Sequence, residues 1–416
     1  MQAIHAQWWA RSLVADLYIQ DALLADGTIT SIRIHEGLIA SVGGKAETND
    51  QRLHAHGALV LPAMAEAHAH LDKAFLAETV PNPTGDLMGA ILAMDAAQAG
   101  ITRADIEARA ERAARLIAHN GATAIRTHAD VTEENGLSSV TALLAVRERL
   151  RDLVNIEVFA LTGFPSLGAE GAQNRALLRE AIAMGVDGIG GCPHLESDPH
   201  AANEAFLAVA ADAGLPVDLH VDETLDPTRF ALADLANRVI ASGFSHRVAA
   251  SHCVSLVMQT PRVQAQVSER LAEARISVIA LPSSNLYLQG RAHDVATPRA
   301  LTAIAALRAA GVNVAAGADN LQDPFNPVGR GDCLETASLM VIAGHLLPHE
   351  AYASVSSSAR TAMGLPAAGV EVGMIADLVL LPARTTREAI AFGPSGRTVI
   401  RAGVLQPGFL QDSQNN

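Results

Sequence analysis

Residues 63–73 of the chain read AMAEAHAHLDK, a short apolar segment that runs into two histidines. The apolar part, Ala63–Ala67, has the length and composition of one buried β-strand. Side chains two apart on a strand point to the same side, so His68 and His70 face one space where this strand ends. The stretch therefore predicts a strand with a histidine pair at its end, and such a pair can bind one metal ion.

Seven more apolar segments follow, and they alternate with alanine-rich stretches of helical period at a spacing of about 30 residues, the length of one strand-helix unit. The further predicted strands lie at Ala122–Thr127, Ile156–Leu161, Gly188–Gly191, Pro216–Leu219, Arg247–Ala250, Ile276–Leu281 and Val312–Gly317. The predicted helices lie at Ala104–His119, Ser138–Arg151, Gln173–Met184, Ala201–Ala213, Thr228–Ser242, Val263–Ala274 and Leu301–Ala310. Eight such units favour a closed (β/α)8 TIM barrel, and no glycine-rich nucleotide loop supports an open doubly wound sheet.

Both chain ends have a different texture, with short β-rich segments between turn residues. These segments are Leu17–Ile19, Ile29–Ile34, Leu38–Val42, Ala58–Leu61, Asp377–Leu381 and Thr398–Arg401. We expect the two ends to combine into one small β-sandwich domain, built from residues 1–61 and 367–416. Residues 62–366 then form the catalytic barrel domain.

Bulk properties exclude several classes of partner. The formal net charge of −14 and the absence of Lys and Arg clusters argue against nucleic acid. A membrane span is not expected, because no apolar run reaches about 18 residues. Three widely spaced cysteines without a CxxC pair, and an N-terminus without a secretory pattern, predict a cytoplasmic protein. Cys192 and Cys253 are interpreted as buried filling residues rather than nucleophiles.

Polar side chains end three other predicted strands of the barrel. His220 ends the fifth, His252 the sixth and Asp319 the eighth. Chemistry in such barrels lies at the carboxyl ends of the strands, where these side chains meet His68 and His70. An isolated pair at a strand end is also compatible with a capping or surface role, but the convergence of four ligands on one rim favours a metal site.

The predicted ligands are His68, His70, His220 and Asp319. Three imidazoles and a carboxylate suit Zn²⁺ or Fe²⁺ better than Ca²⁺ or Mg²⁺, and the ligands alone do not distinguish the first two. Such an ion lowers the pKa of a bound water toward neutrality.

Other polar residues near these ends admit two interpretations each. Glu223, three residues after His220, can reach a substrate without binding the ion, or it is an ordinary acid in the first turn of a helix. His252 polarises a reacting group or caps a strand end. Asp222 is expected to support the site. His128, Asp130 and His194 are expected in supporting or loop roles.

Taken together, these motifs resemble the amidohydrolase superfamily, and within it the cytosine deaminase branch. The segments that carry the resemblance are residues 67–73, 126–131, 220–223, 251–252, 288–291, 318–320, 323–324 and 373–379. The resemblance implies one Fe²⁺ or Zn²⁺ on the four ligands named above. It also implies that Asp319 takes a proton from the metal-activated water, Glu223 carries a proton to the ring nitrogen, His252 steadies the attacking oxygen and Gln289 lies near the substrate.

Binuclear members hold a second ion through a carboxylated Lys or a Glu that ends strand four. Here that strand ends in Gly190-Gly191-Cys192, and neither lysine of the chain lies near it in sequence, so one ion is expected.

Two positions depart from cytosine deaminases. Ser166 follows Phe-Pro where those enzymes have a glutamine, and Asn320 stands where they have a second aspartate. Both changes alter the donors and acceptors offered to a substrate ring, so we expect a substrate other than cytosine. Ser166, Gln289 and Asn320 are the predicted substrate-binding residues.

The predicted function is deamination of a small N-heterocycle, in which metal-activated hydroxide attacks an amidine-type ring carbon and ammonia leaves. Release of an alkylamine from a substituted triazine or pyrimidine, or opening of a cyclic amide, stays open as an alternative. A catalytically silent binding or assembly module is disfavoured, because all four ligands and Glu223 are present. The expected partner is a small heterocyclic substrate, and homo-oligomerisation is left open.

Overall fold

The computed structural model describes residues 16–407, so the first 15 and the last nine residues of the predicted terminal ranges lie outside the described residues. The chain divides into two compact units. One unit combines residues 16–63 with residues 366–407, and the other is Met64–Leu365.

Sixteen strands occur among the described residues, and each is named here with its bounds. They are β1 (Leu17–Leu23), β2 (Ile29–His35), β3 (Leu38–Val42), β4 (Gln51–His54), β5 (Leu59–Pro62), β6 (Met64–Ala69), β7 (Ala122–Val131), β8 (Asn155–Thr162), β9 (Gly188–Gly191), β10 (Val217–Val221), β11 (Val248–His252), β12 (Ser277–Ala280), β13 (Val314–Ala316), β14 (Leu378–Leu381), β15 (Thr398–Arg401) and β16 (Val404–Leu405).

Thirteen α-helices occur in the same residues. They are α1 (Leu87–Ala97), α2 (Arg103–His119), α3 (Ser138–Arg149), α4 (Ala172–Ala183), α5 (Pro199–Ala213), α6 (Leu232–Ser242), α7 (Pro261–Glu273), α8 (Pro282–Leu288), α9 (Ile304–Ala309), α10 (Cys333–Ile342), α11 (Pro348–Ser354), α12 (Ser357–Met363) and α13 (Thr386–Phe392). Across residues 16–407, no helix combines the length and the apolar composition that crossing a bilayer requires.

The smaller unit is one sheet with strands from both chain ends. Its order is β16-β15-β14-β5-β1-β2-β3, and β4 pairs with β1 off this path. β5 and β14 join the two ends in antiparallel register, with Leu61 opposite Val379. Buried aliphatic side chains of β1, β2 and β14, such as Ile19, Ile32 and Leu378, form its core. The prediction of a β unit shared by both ends is confirmed.

The larger unit is an eight-stranded parallel barrel in the order β6 to β13, with each strand beside its neighbour in sequence. A parallel bridge between Ala69 and Asp319 connects the first and last strands. The predicted TIM barrel is confirmed, and all eight predicted strands overlap observed ones. The barrel places the carboxyl ends of all eight strands at one face, where the site residues lie.

The helices that the sequence pattern missed lie mainly in two places. α1 stands between β6 and α2, and α10–α12 follow β13. α8 directly follows β12, and the predicted helix Leu301–Ala310 is shorter, as α9. Among these, α8, α9, α11 and α12 have only six or seven residues, which is too short to show a clear helical period, and tertiary contacts decide their conformation.

Candidate active site

The four predicted ligand atoms converge at the carboxyl ends of the barrel strands. His68 Nε2 lies 3.2 Å from His220 Nε2, which lies 3.2 Å from His70 Nε2. Asp319 Oδ1 lies 3.2 Å from His70 Nε2 and 3.7 Å from His68 Nε2. Tetrahedral ligands about 2.0–2.1 Å from a zinc ion are about 3.3 Å apart, so this spacing fits one transition-metal ion. All four side chains are buried.

The electrostatics of these residues suit a cation. Burial, reinforced by the neighbouring His128, lowers the pKa of His68 and His220 well below the usual value. Burial alone raises the pKa of Asp319, but its interactions with the neighbouring His70 and His252 bring it below its ordinary value. The rings of His68 and His220 are therefore neutral and can present lone pairs, and the carboxylate is ionised, which is the state that metal ligation requires.

Backbone hydrogen bonds connect three of these ligands across the joint that closes the barrel. Asp319 N donates to His68 O at 2.9 Å, and His70 N donates to Asp319 O at 3.2 Å. The carboxyl of Glu66 spans the same joint: its Oε1 accepts from His68 N at 3.2 Å and from Ala318 N at 2.9 Å. Burial raises the pKa of Glu66 to about 8. The joint between the first and last strands is thus made by the residues around the site.

A buried chain of hydrogen bonds fixes the orientation of His68. Ser251 Oγ donates to Asp218 Oδ1 at 2.7 Å, so it accepts from His68 Nδ1, which lies 2.9 Å away. Arg126 donates to the other oxygen of Asp218 at 3.0 Å and to Glu157 at 3.0 Å. With its proton on Nδ1, His68 directs the lone pair of Nε2 toward the other three ligand atoms.

Glu223 and His252 lie side by side next to this set. Glu223 Oε1 is 3.4 Å from His252 Nδ1. Burial, with a contribution from Asp319, raises the pKa of Glu223 well above its usual value, which favours the protonated carboxyl. Burial also lowers the pKa of His252 to about 4, so this ring is neutral. A buried protonated carboxyl can serve as a general acid.

A cavity of about 130 Å³ opens above these groups. One wall is apolar and includes Leu87, Ile91 and Met94, which follow each other along α1 at the spacing of one helix face. The floor is polar and includes His70, His194, His220, Glu223, His252, Asp319 and Asn320. Small-molecule sites commonly combine an apolar wall with a few polar groups.

The three predicted substrate-binding residues occupy different places. Asn320 lines the cavity, and its Nδ2 donates to Asp323 at 2.7 Å. Gln289 instead donates through Nε2 to the backbone oxygen of Glu223 at 2.9 Å. Ser166 is buried beside Glu196, which accepts from its backbone N at 2.6 Å. Among the described residues that line the cavity, only Asn320 of these three appears.

The sequence analysis predicted supporting or loop roles for His194 and Asp222 and no role for Lys73. His194 lines the cavity, and its Nδ1 lies 2.9 Å from the backbone oxygen of His220. Asp222 accepts from Ala231 N and Leu232 N, at the start of α6, so it holds the loop that carries Glu223. Lys73 also lines the cavity, paired with Asp130 at 2.6 Å.

Asn285, in α8, escaped the sequence analysis altogether. It lies three residues before the segment 288–291 that carried part of the resemblance, and extending that segment toward the N-terminus would have included it. Its Nδ2 lies 3.0 Å from His252 Nδ1 and 3.4 Å from Glu223 Oε1.

Comparison with known proteins identifies the family. A sequence profile described as the amidohydrolase family matches residues 76–405. The chain belongs to the amidohydrolase family. This amidohydrolase is 35% identical over 400 residues to the pterin deaminase of Rhizobium rhizogenes strain K84, covering 94% of this chain and 89% of the relative.

Solved structures agree with this assignment. The 5-methylcytosine deaminase of Klebsiella pneumoniae, solved with 5-fluorocytosine, has a TM-score of 0.86 and 28% identity, covering 94% of this chain and 97% of that one. The N-isopropylammelide isopropylaminohydrolase of Burkholderia multivorans has a TM-score of 0.82 and 29% identity, covering 94% and 98%. The predicted resemblance, and the predicted enzyme class of hydrolases acting on C–N bonds, are confirmed.

Proposed function

We propose that this amidohydrolase removes ammonia from an amino-substituted N-heterocycle, using one Zn²⁺ or Fe²⁺ held by His68, His70, His220 and Asp319. The observation that carries the proposal is the position of the buried Glu223 carboxyl, which lies 3.4 Å from His252 and lines the same cavity as Asp319. Burial also raises its pKa. Deamination needs a proton donor beside the substrate ring, because the ring nitrogen next to the attacked carbon gains a proton as the C–O bond forms.

Each residue has a distinct task in this reaction. When bound, the ion activates a water molecule as the nucleophile. Asp319 accepts a proton from that water, and His252 holds the attacking oxygen through Nε2. Glu223 gives its proton to the ring nitrogen and recovers one as the product forms. The amino group then leaves with the proton that Asp319 took up, so that the C–N bond breaks and ammonia departs.

The cavity supports a planar ring system as substrate. Its apolar α1 wall can cover the face of a ring, while Asn320 offers a hydrogen-bonding side chain that differs from the aspartate of cytosine deaminases. Two of the relatives compared above are deaminases, of pterin and of 5-methylcytosine. We propose a one- or two-ring aminopyrimidine-type substrate, with pterins first among the compounds to test.

A second candidate is release of an alkylamine from a substituted ring. It is favoured by the likeness to an isopropylaminohydrolase and by the apolar side chains of α1, which could cover an alkyl group. Opening of a cyclic amide is the third outcome to test, and it differs because the ring gains a carboxylate.

The decisive experiment is product analysis with protein loaded separately with Zn²⁺ and Fe²⁺. Pterins, aminopyrimidines, aminotriazines and N-alkylaminotriazines are supplied, and ammonia and alkylamine are quantified. Metal-dependent ammonia release supports the proposal. Alkylamine as the sole amine product would replace deamination with the second candidate. If metal-loaded protein releases neither ammonia nor alkylamine, both candidates are refuted.

Variants test the residue roles. Glu223→Gln is expected to retain metal and lose about 10²- to 10⁴-fold in kcat, because the amide cannot supply the proton. His220→Ala is expected to lose both metal and turnover. The matched control is Glu170→Gln, at an exposed position, which should behave like the unmodified protein. Full activity of Glu223→Gln would remove this residue from the mechanism.

A further inference from the structure

One buried amide touches both groups proposed above to handle protons. Asn285 lies in α8, is 0% exposed, and approaches His252 Nδ1 at 3.0 Å and Glu223 Oε1 at 3.4 Å through the same Nδ2 atom. An amide nitrogen carries two hydrogens, so it can donate to both neighbours at once. The 3.0 Å contact to His252 is the shorter of the two.

The chemistry of this contact sets the position of the proton on His252. An amide nitrogen donates and does not accept, so Nδ1 must present its lone pair to Asn285. In the neutral ring the proton then resides on Nε2. That Nε2 is buried and has no hydrogen-bond partner in residues 16–407. The ring centroid of His252 lies 5.1 Å from that of His220 and 5.7 Å from that of His68. The unpartnered N–H therefore lies beside the ligand set.

The same helix also holds the backbone of Glu223. Gln289 follows the last residue of α8 and donates to Glu223 O at 2.9 Å. α8 thus restrains Glu223 at both its backbone oxygen and its carboxyl group. These contacts connect β12, which precedes α8, to the loop after β10, two strands away in the barrel.

We propose that Asn285 is a positioning residue that fixes His252 as the Nε2–H tautomer and orients the carboxyl of Glu223. The inference rests on the proposed function, in which His252 donates to the attacking oxygen. A ring with its proton on Nε2 can donate that hydrogen bond. A ring with its proton on Nδ1 turns a lone pair toward the same oxygen and repels it.

The test compares two substitutions of opposite character. Asn285→Asp keeps the shape but replaces the donor by an acceptor, which draws the His252 proton onto Nδ1 and leaves Nε2 bare. Asn285→Ala removes the donor without imposing the wrong tautomer. A wrong histidine tautomer costs up to about 10⁴-fold in kcat in a serine protease. We expect kcat to fall by about 10²- to 10⁴-fold in Asn285→Asp and by about tenfold in Asn285→Ala, with metal content unchanged in both.

The order of the two losses is diagnostic. A role in packing alone predicts the reverse order, because aspartate fills the same space and alanine leaves a cavity. The matched control is Asn313→Asp, whose amide donates to Ser277 Oγ and Ser358 O without touching His252. It should keep kcat within about twofold. A higher kcat for Asn285→Asp than for Asn285→Ala would overturn the proposal.

A second readout is independent of turnover. ¹⁵N-histidine NMR of the zinc-loaded protein, with the His252 signals assigned through His252→Gln, reports which ring nitrogen carries the proton. We expect protonated Nε2 in the unmodified protein and protonated Nδ1 in Asn285→Asp. Protonated Nδ1 in the unmodified protein overturns the inference even if ammonia is released. An Nε2–H ring in a protein that deaminates no compound of the panel upholds the tautomer assignment while the proposed function fails.

Discussion

Replacing Ser251 by alanine should weaken metal binding without touching a ligand. Ser251 Oγ accepts from His68 Nδ1 and donates to Asp218. Ser251→Ala removes the group that keeps the proton of His68 on Nδ1 and its ring in place. Partners of this kind, one step removed from the ion, typically contribute 10- to 100-fold in metal affinity. We therefore expect the dissociation constant for Zn²⁺ to rise by about 10- to 100-fold, or about 1.4–2.8 kcal/mol.

The same change should also destabilise the protein without metal. It leaves His68 Nδ1 and one oxygen of Asp218 buried without their shared partner, although Arg126 still satisfies the other oxygen. Unsatisfied buried groups cost about 1–3 kcal/mol. Urea unfolding of metal-free protein should show a loss of that size. Metal affinity is measured separately by competition with a chromophoric chelator.

A buried serine elsewhere in the barrel unit provides the control. Ser268 lies in α7, is buried, and donates to Gln264 O at 2.7 Å within the helix. Ser268→Ala should lose some stability but keep the native affinity for Zn²⁺. Equal affinities of the Ser251→Ala and Ser268→Ala variants would refute the reasoning that the serine between His68 and Asp218 tunes the site.

Two further substitutions test the packing around the site. Arg126→Met leaves the buried Asp218 and the partly buried Glu157 without this cation and should lower the free energy of unfolding at pH 7 by about 3–5 kcal/mol. Burial already raises the pKa of both carboxyls and Arg126 opposes that rise, so its loss raises them further. The loss of unfolding free energy is then largest at pH values above the raised pKa values, and it becomes smaller as the pH falls toward about 4. A loss that does not change with pH in urea titrations would contradict this. Gly188→Ala places Cβ 2.2 Å from a ring carbon of Phe159 and should cost about 1–3 kcal/mol. Gly100→Ala, with no atom within 4 Å of its added Cβ, should change the melting temperature little, and similar effects of the two would argue against the steric reason.

The sequence was informative where one physical rule dominated. Barrel strands are short, apolar and evenly spaced, so their positions followed from composition and period. The ends of parallel strands meet at one face, and this rule alone brought His68, His220 and Asp319 into one predicted site. The structure gives them a geometry that suits an ion, and their roles in binding and turnover stay predictions for the experiments above.

Other features depend on contacts between distant segments. α1 is apolar on nearly every side, so it lacks the amphipathic period that predicts a helix, yet it forms one wall of the cavity. Asn285 occupies a seven-residue helix and gains its neighbours only because β10, β11 and β12 are adjacent. Gln289 reached the predicted site through resemblance, and its actual contact, the backbone oxygen of Glu223, could not be read from the order of residues.

The way the barrel closes links folding to the site. The hydrogen bond from Ala318 N to Glu66 Oε1 joins residues 252 positions apart, and the neighbouring bonds connect the backbones of His68 and His70 to that of Asp319. Such non-local contacts form against the entropy of closing a long loop. An ion held by the proposed ligands would bind residues on both sides of this seam at once. Opening of the barrel at this seam would separate the proposed ligands, so metal occupancy would report whether the ring of strands is closed.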